Sequence, residues 1–439
     1  MRVRIFPVRL AIAALILVAC ERDELVDVDP EVAPGPSSPT LETLLGTNVL
    51  SDWADTTFGG FTRAGVTGYI QVVGGAPVGT TRGLLQYDVI EVTVRIPGIV
   101  SAVETYDSAR VVMEVDSAQT FLPAAGMMIL QLVEVQQEWD VSATWEFAVD
   151  TLGVAVPWSG GPGGSLGPTI LAEDTLELIV TDTTTEMPDS LVFWLGEASD
   201  SLLKLWVDSL EVNTGLAVVV ADSGHTRLTG ARLNYNMIPV DRPDTAVVAS
   251  SASTAGTFIY DPTGTENIEG ILRVGGIEGW RTYTQFVIPD SVPVLGSTDT
   301  YPLRGSTINK AELLLVSVDQ RSPPFQAEDP FQTLTYELAD DFLVFGPKTP
   351  VGNRVGAGDV LVVPDSIAVG DTVRFELTRL LAVWSGVSQD SVPLLRFVVR
   401  PASAAATFGF WEFGAIDGDP GFTPSLRIVF TPPVGFSLP

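Results

Sequence analysis

RGLLQYDV occupies residues 82–89, and RTYTQFVI occupies residues 281–288. Each run has the length of a strand, is rich in apolar and β-branched or aromatic residues, and is bounded by turn formers. Arg82 and Gln86 stand where Arg281 and Gln285 stand in the second run. Working outward, the correspondence continues in order. SARVVMEVDS (108–117) answers NKAELLLVSVD (309–319), and LLKLW (202–206) answers LLAVW (380–384). Each LLxxW follows a strand-like run, LVFWLG (191–196) or TVRFEL (372–377). An apolar strand then begins ten residues past each tryptophan, at Leu216 and at Leu394. Shared order with shared spacing predicts two homologous modules, 41–240 and 245–433, joined by the short PVDRPDTA (239–246).

The rest of the chain has the same texture. The 41 glycines and 31 prolines punctuate short runs such as GYIQVVG (68–74), MMILQLVEV (127–135) and TLELIVTD (175–182). Long amphipathic helical patterns are missing. The predicted fold is therefore all-β: two tandem jelly-roll-like sandwiches. LLxxW reads as one short helical turn in each, capped by Ser199 or Asp200 and by Thr378. Trp206 and Trp384 then plug the sandwich ends as core residues.

The amino terminus carries a separate message. Arg2, Arg4 and Arg9 precede the apolar run LAIAALILVA (10–19), and the chain's single cysteine, Cys20, follows. This is the layout of a secretory signal, residues 1–19, and it is too short for a membrane-spanning helix. LVAC (17–20) resembles the lipobox of bacterial lipoproteins. That resemblance implies cleavage before Cys20, lipidation of its thiol and a membrane anchor. Residues 20–40 then form a flexible, acidic, proline-rich tether. Glu21 rather than aspartate after the cysteine favours the outer membrane or cell surface, as the family's sorting pattern implies.

Charge narrows the partners. The chain has 24 Lys+Arg against 54 Asp+Glu, a net charge of −30. Such a surface repels phosphate backbones, so nucleic acid is not an expected partner. It also disfavours anionic polysaccharides unless calcium bridges the two. A hydrophobic fraction of 46% is too high for a disordered acidic protein.

Several motifs together resemble one family. They are the Arg-x-x-x-Gln-Tyr/Phe strand, the following Ala-x-Val/Leu strand, EWDVSATW (138–145), PWSGG (157–161) and PSLRIVF (424–430). The set is similar to the DNRLRE-type β-sandwich modules of bacterial surface proteins, which are related to a carbohydrate-binding module family. The resemblance covers nearly all of 41–433. The second copy lacks the tryptophan pair of EWDVSATW and has FQTLTYELADDFLVFGPKT (331–349) instead. The first copy has ARLNYNM (231–237) where the second has PSLRIVF. What the resemblance implies is non-catalytic binding of carbohydrate.

Sugar recognition needs aromatic rings for stacking with hydrogen-bonding side chains beside them. Trp139, Asp140, Trp145 and Trp158 are the candidates, because all lie in or beside loops. The competing reading is that these tryptophans lock a long loop onto the sandwich. Trp411 and Phe413 alternate around Glu412 and read as core or cross-strand residues. His225, in the polar DSGHTR, reads as an exposed loop residue and cannot alone build a triad or a zinc site. No GxSxG, Walker or HExxH motif is present, so no enzyme is expected. Calcium is the metal to consider, at Asp417 and Asp419 in DGDPG, or at Asp261 and Glu266. The same stretches also read simply as turns.

Overall fold

The computed structural model describes residues 40–433 except 47–48, 60–69, 75–78, 88, 152, 181–184, 210–212, 263–266, 297–298, 320–330, 338–359, 363–367, 387–393 and 402–409. Residues 1–39, with the expected signal peptide, Cys20 and tether, and Glu266 lie outside the described residues.

The chain is built of strands. The first are β1 (Leu41–Leu45), β2 (Ser51–Phe58), β3 (Ile70–Gly74), β4 (Thr81–Gln86), β5 (Thr93–Ile96) and β6 (Ile99–Phe121). Next come β7 (Met127–Val135), β8 (Phe147–Thr151), β9 (Val154–Pro157), β10 (Leu166–Glu177), β11 (Ile179–Val180), β12 (Thr185–Glu186) and β13 (Ser190–Trp194). Helix α1 (Ala198–Asp208) is followed by β14 (Leu216–Val220), β15 (Gly224–Pro239), β16 (Val247–Ala252) and β17 (Ala255–Tyr260). Then follow β18 (Ile271–Gly275), β19 (Arg281–Val287), β20 (Ser291–Pro293), β21 (Thr300–Pro302), β22 (Thr307–Asp319), β23 (Phe331–Glu337), β24 (Val360–Val362) and β25 (Thr372–Glu376). Helix α2 (Thr378–Gly386) precedes β26 (Leu395–Pro401), β27 (Phe410–Gly414) and β28 (Ser425–Thr431). The all-β sandwich expectation holds.

The strands form four principal sheets around two large cores. One core lies between β13-β6-β15-β16, to which β3 and β5 add, and β10-β7-β14-β4-β17. The other lies between β1-β28-β22-β27-β18, to which β25 adds, and β2-β19-β26-β23-β24. Every pairing described here is antiparallel.

The two arrangements match strand for strand. β4 corresponds to β19, β6 to β22, β13 to β25 and β14 to β26. The long β15 corresponds to β27 and β28 together. β17 pairs with β4 as β2 pairs with β19. β16 pairs with β15 as β1 pairs with β28. The sheets therefore divide the chain elsewhere than at 240/245. Residues 41–58 precede the first copy in sequence yet hydrogen-bond into the sheets of the second. Residues 247–260 precede the second copy yet complete the first. Apart from Ile277 of the β18–β19 turn, the first core is made by the continuous span 70–260, nested between β2 and β18.

The LLxxW elements are full helices rather than single turns, eleven and nine residues long. Trp206 and Trp384 are buried, one in each core, as expected. The predicted caps act differently. α1 has no side-chain cap at its start. Ser199 Oγ instead accepts the Ala109 N–H at 3.1 Å, and Asp200 Oδ1 accepts the Tyr106 N–H at 2.9 Å. Thr378 Oγ1 accepts the Ala311 N–H at 2.8 Å. Ala109 and Ala311 are the matching residues of β6 and β22. One hydroxyl at each helix start thus ties it to the central strand of its sandwich.

Period-two alternation explains the first sandwich's layers. Leu85, Leu132, Val218 and Phe258 face the main core. Their neighbours Leu84, Val133, Ala217 and Ile259 face the other way, into a third cluster with Trp139, Ala143, Ala148 and Trp158. The centre of the β10-β7-β14-β4-β17 sheet is thus buried on both faces, which is why β14 reads LAVVV, apolar throughout, whereas the outer strand β10 is exposed at many positions. Its outer cover is the segment between β7 and β10.

Candidate functional site

That cover holds the aromatic residues singled out by the sequence. Trp139 and Trp158 are each only 4% exposed. The Trp139 indole donates to the Thr214 carbonyl at 2.8 Å, and the Trp158 indole donates to the Thr144 carbonyl at 2.8 Å. Both rings are sealed between loop and sheet. Trp145 is half-buried, with the Arg82 guanidinium 5.0 Å from its ring centroid. Arg82 also donates to the Gly163 carbonyl. Gly163 has φ +94°, and a Cβ there would meet Trp145 at 2.9 Å, so only glycine fits this crossing. Asp140 accepts the Ser142 N–H at 2.8 Å, an Asx-type turn. EWDVSATW therefore builds a lid that holds itself shut. Trp139 and Trp158 have no open face for stacking.

The remaining candidates also have structural duties. Asp419 Oδ1 accepts the Gly421 N–H at 2.9 Å and caps the short 3-10 turn Pro420–Phe422. Among the described residues no three His, Cys, Asp or Glu side chains converge as a metal site would require. Trp411 and Phe413 are buried in the second core, as read from their alternation. His225 departs from expectation. It is buried, not exposed, because β15 begins at Gly224 and His225 already pairs with Val73 and Phe121. Burial, helped by neighbouring Arg227, pushes its pKa down to about 3, so the ring is neutral.

An open aromatic platform lies elsewhere. Leu191 and Phe193 of β13 point into the core, so Trp194 points out, and it is 53% exposed. The Arg110 guanidinium of β6 lies 4.7 Å from its ring centroid, within cation–π range. Register carries this row across the sheet, from Trp194 to Arg110 to Asn234 to Ser250. Asn236, Val248 and the exposed Asp107 lie one step along the strands. The ladder shifts register between Asn234 and Asn236, and Ser108 opposite has φ +52°. A non-glycine residue in the left-handed region is strained, and such bulges re-aim nearby side chains. The result is a sheet face bearing one exposed ring, one stacked arginine, two amides and a hydroxyl.

The second sandwich puts different chemistry in the same row. There the register runs from Glu376 to Glu312 to Arg427. Arg427 donates to Glu42 at 2.6 Å and to Glu312 at 3.1 Å, and Lys310 pairs with Glu312 at 2.9 Å. This is an ion-pair ladder that ties β1 to its sheet, with no aromatic ring.

Two carboxyl groups of the second sandwich are held well above their usual range. Asp55 of β2 is raised to about 6, mainly by burial, although the Ile416 N–H donates to it at 3.1 Å. Glu278, half-buried in the β18–β19 turn, is raised to about 7 by desolvation, against its own backbone hydrogen bond and the pull of Arg273.

No helix among the described residues is long and apolar enough to cross a membrane. No protein-family profile matches the chain, and no curated protein matches it either.

Proposed function

We propose that this protein is a lipid-anchored bacterial envelope protein that holds neutral polysaccharide by stacking and hydrogen bonding, breaking no bond. The Cys20 lipobox resemblance supports the anchor. The resemblance to DNRLRE-type modules supports the ligand class. The observation that carries the reading is the exposed Trp194 with Arg110, Asn234 and Asn236 on one sheet face. A pyranose presents a C–H face to a ring and hydroxyls to amides and guanidinium groups. The surrounding negative charge favours an uncharged glycan.

A second reading is an envelope scaffold that docks other proteins. It is favoured by the burial of Trp139, Trp158, Trp206 and Trp384 and by the ringless ion-pair ladder of the second sandwich. Binding of the soluble fragment from residue 41 onward to a polysaccharide panel, with and without calcium and followed by tryptophan fluorescence, separates the two. A response to one glycan that disappears in Trp194→Ala supports sugar binding. A folded fragment silent across the panel supports the scaffold.

A further inference from the structure

Among the described residues, the first sandwich has a notch where the second carries a loop. β3 pairs with β15 at residues 224–228, and β16 pairs with it at 232–237. Among the described residues, 229–231 have no ladder partner on that flank, and only the Ser253 N–H reaches them, donating to the Ala231 carbonyl at 3.0 Å. A cavity of about 380 Å³ opens there, lined by Ile70, Val141, Thr229, Arg232, Ser253 and Gly256 among others. In the second sandwich the corresponding gap between β27 and β28 holds residues 415–424, ten residues in place of three. Asp55 reaches that segment and accepts the Ile416 N–H.

Register identifies the counterpart of Asp55. Phe58 pairs with Arg281 as Ile259 pairs with Arg82, so Asp55 on β2 matches Gly256 on β17. Glycine is not forced at 256. A Cβ there would meet Ile70 Cδ1 at 3.7 Å, an ordinary contact, and φ lies outside the left-handed region. One copy therefore fills the position with a carboxylate and an inserted loop, while the other leaves it open.

We propose that this notch is a subsite for one further neutral sugar unit of the polysaccharide that crosses Trp194, an inference that rests on the sugar-binding reading above. Arg232 lies on the same sheet face as Trp194, two strands over and two residues along β15 from Asn234. Strand spacing and rise put the two about 12 Å apart, a distance a short oligosaccharide spans. Val141, 44% exposed, offers apolar surface to a ring face, with the buried Ile70 forming the floor. Thr229, Ser253 and Arg232 offer hydrogen bonds. Arg232 is in no ion pair among the described residues. The Glu114 carboxylate stands beside Gly230, where a Cβ would meet its Cδ at 3.0 Å. Donors from Arg232 with acceptors from Glu114 suit hydroxyl groups, and Glu114 disfavours an acidic sugar. The β16–β17 turn bounds the cavity, and its volume is at the small end of ligand sites.

The test is calorimetric titration of the fragment from residue 41 onward with neutral hexaoses of glucose, xylose, mannose and galactose. The parent is compared with Trp194→Ala, Arg232→Ala and Gly256→Asp. The last transplants the second sandwich's carboxylate into the notch. Gly256→Asp and Arg232→Ala are expected to weaken the best hexaose at least tenfold with unchanged circular dichroism, and Trp194→Ala to abolish binding. If Gly256→Asp and Arg232→Ala bind like the parent while Trp194→Ala does not, the platform stands and the notch is no subsite. If no hexaose binds the parent, the sugar-binding reading falls and takes this one with it. Should Gly256→Asp not fold, Val141→Asp at the exposed rim is expected to give the same loss, and parental binding by it overturns the proposal.

Discussion

At the scale of single residues, the tryptophans separate into two kinds. Trp139→Ala or Trp158→Ala removes a buried ring and the hydrogen bond it gives to a part-buried carbonyl. Each is expected to cost about 3–5 kcal/mol, read as a lower denaturation midpoint. Trp194→Ala removes an exposed ring and is expected to cost under about 1 kcal/mol while removing glycan binding. The sequence made this division hard to see. EWDVSATW looks like a loop with rings to spare, because nothing local reveals that the neighbouring sheet needs a cover on its outer face. The Trp194 side was legible in principle, since LVFW alternates and puts Leu191 and Phe193 together on one face. His225 was hidden by polar neighbours, Ser223 and Thr226, that belong to a strand start. Asp55 gives a residue-scale prediction in pH. Its folded pKa of about 6 lies above its ordinary 3.8, so the native state binds the proton more tightly. The resulting stabilisation is complete below about pH 4 and is lost as pH rises through 6, a change of about 3 kcal/mol. Asp55→Asn keeps an acceptor for Ile416 without the charge. Its melting temperature relative to the parent is expected to rise between pH 4 and 7, and a flat difference would count against the burial account.

At the scale of elements, the two helices carry the clearest correspondence between the two sandwiches. Ser199 and Thr378 each accept the amide of an equivalent alanine on the central strand. Ser199→Ala or Thr378→Val leaves that N–H unpaired in a part-buried site. Each is expected to cost about 1–3 kcal/mol by chemical denaturation, and Thr378→Ser to restore most of it. The LLxxW repeat was legible because its spacing to the flanking strands is kept. The length of the helices was not, since Ser199, Asp200 and Thr378 suit a cap, and only the fold shows β6 and β22 competing for the same oxygens. Strand identities were read well wherever alternation or apolar runs were strong. The exposed row that distinguishes the two sheets emerges only once register sets Trp194 beside Arg110, and Glu312 beside Arg427.

At the scale of the whole molecule, the repeat alone does not fix which sandwich a strand pair completes. The strand pairs of 41–58 and 247–260, each sending one strand to either sheet, precede equivalent strands, so a sequential assignment is natural from the repeat. The choice between sandwiches depends on contacts hundreds of residues apart, as in β1 with β28, and no local pattern encodes it. The nested arrangement makes a sharp prediction. A fragment spanning 70–260 holds every strand of the first core and is expected to unfold cooperatively by itself. A fragment spanning 261–433 lacks two edge strands and is expected to remain poorly folded. Adding a peptide of residues 41–58 should restore its near-ultraviolet dichroism. Cooperative folding of 261–433 without the peptide would show that β1 and β2 are dispensable.

The pairing of β1 with β28 also has a mechanical meaning. A pull between the amino-terminal side of Leu41 and a ligand held on the first core enters through β1 and β2. Their ladders with β28 and β19, with the Arg427 ion pairs beside one of them, would then bear the load. The second sandwich would act as a clasp on the line, yielding by release of these two strands before the first sandwich opens.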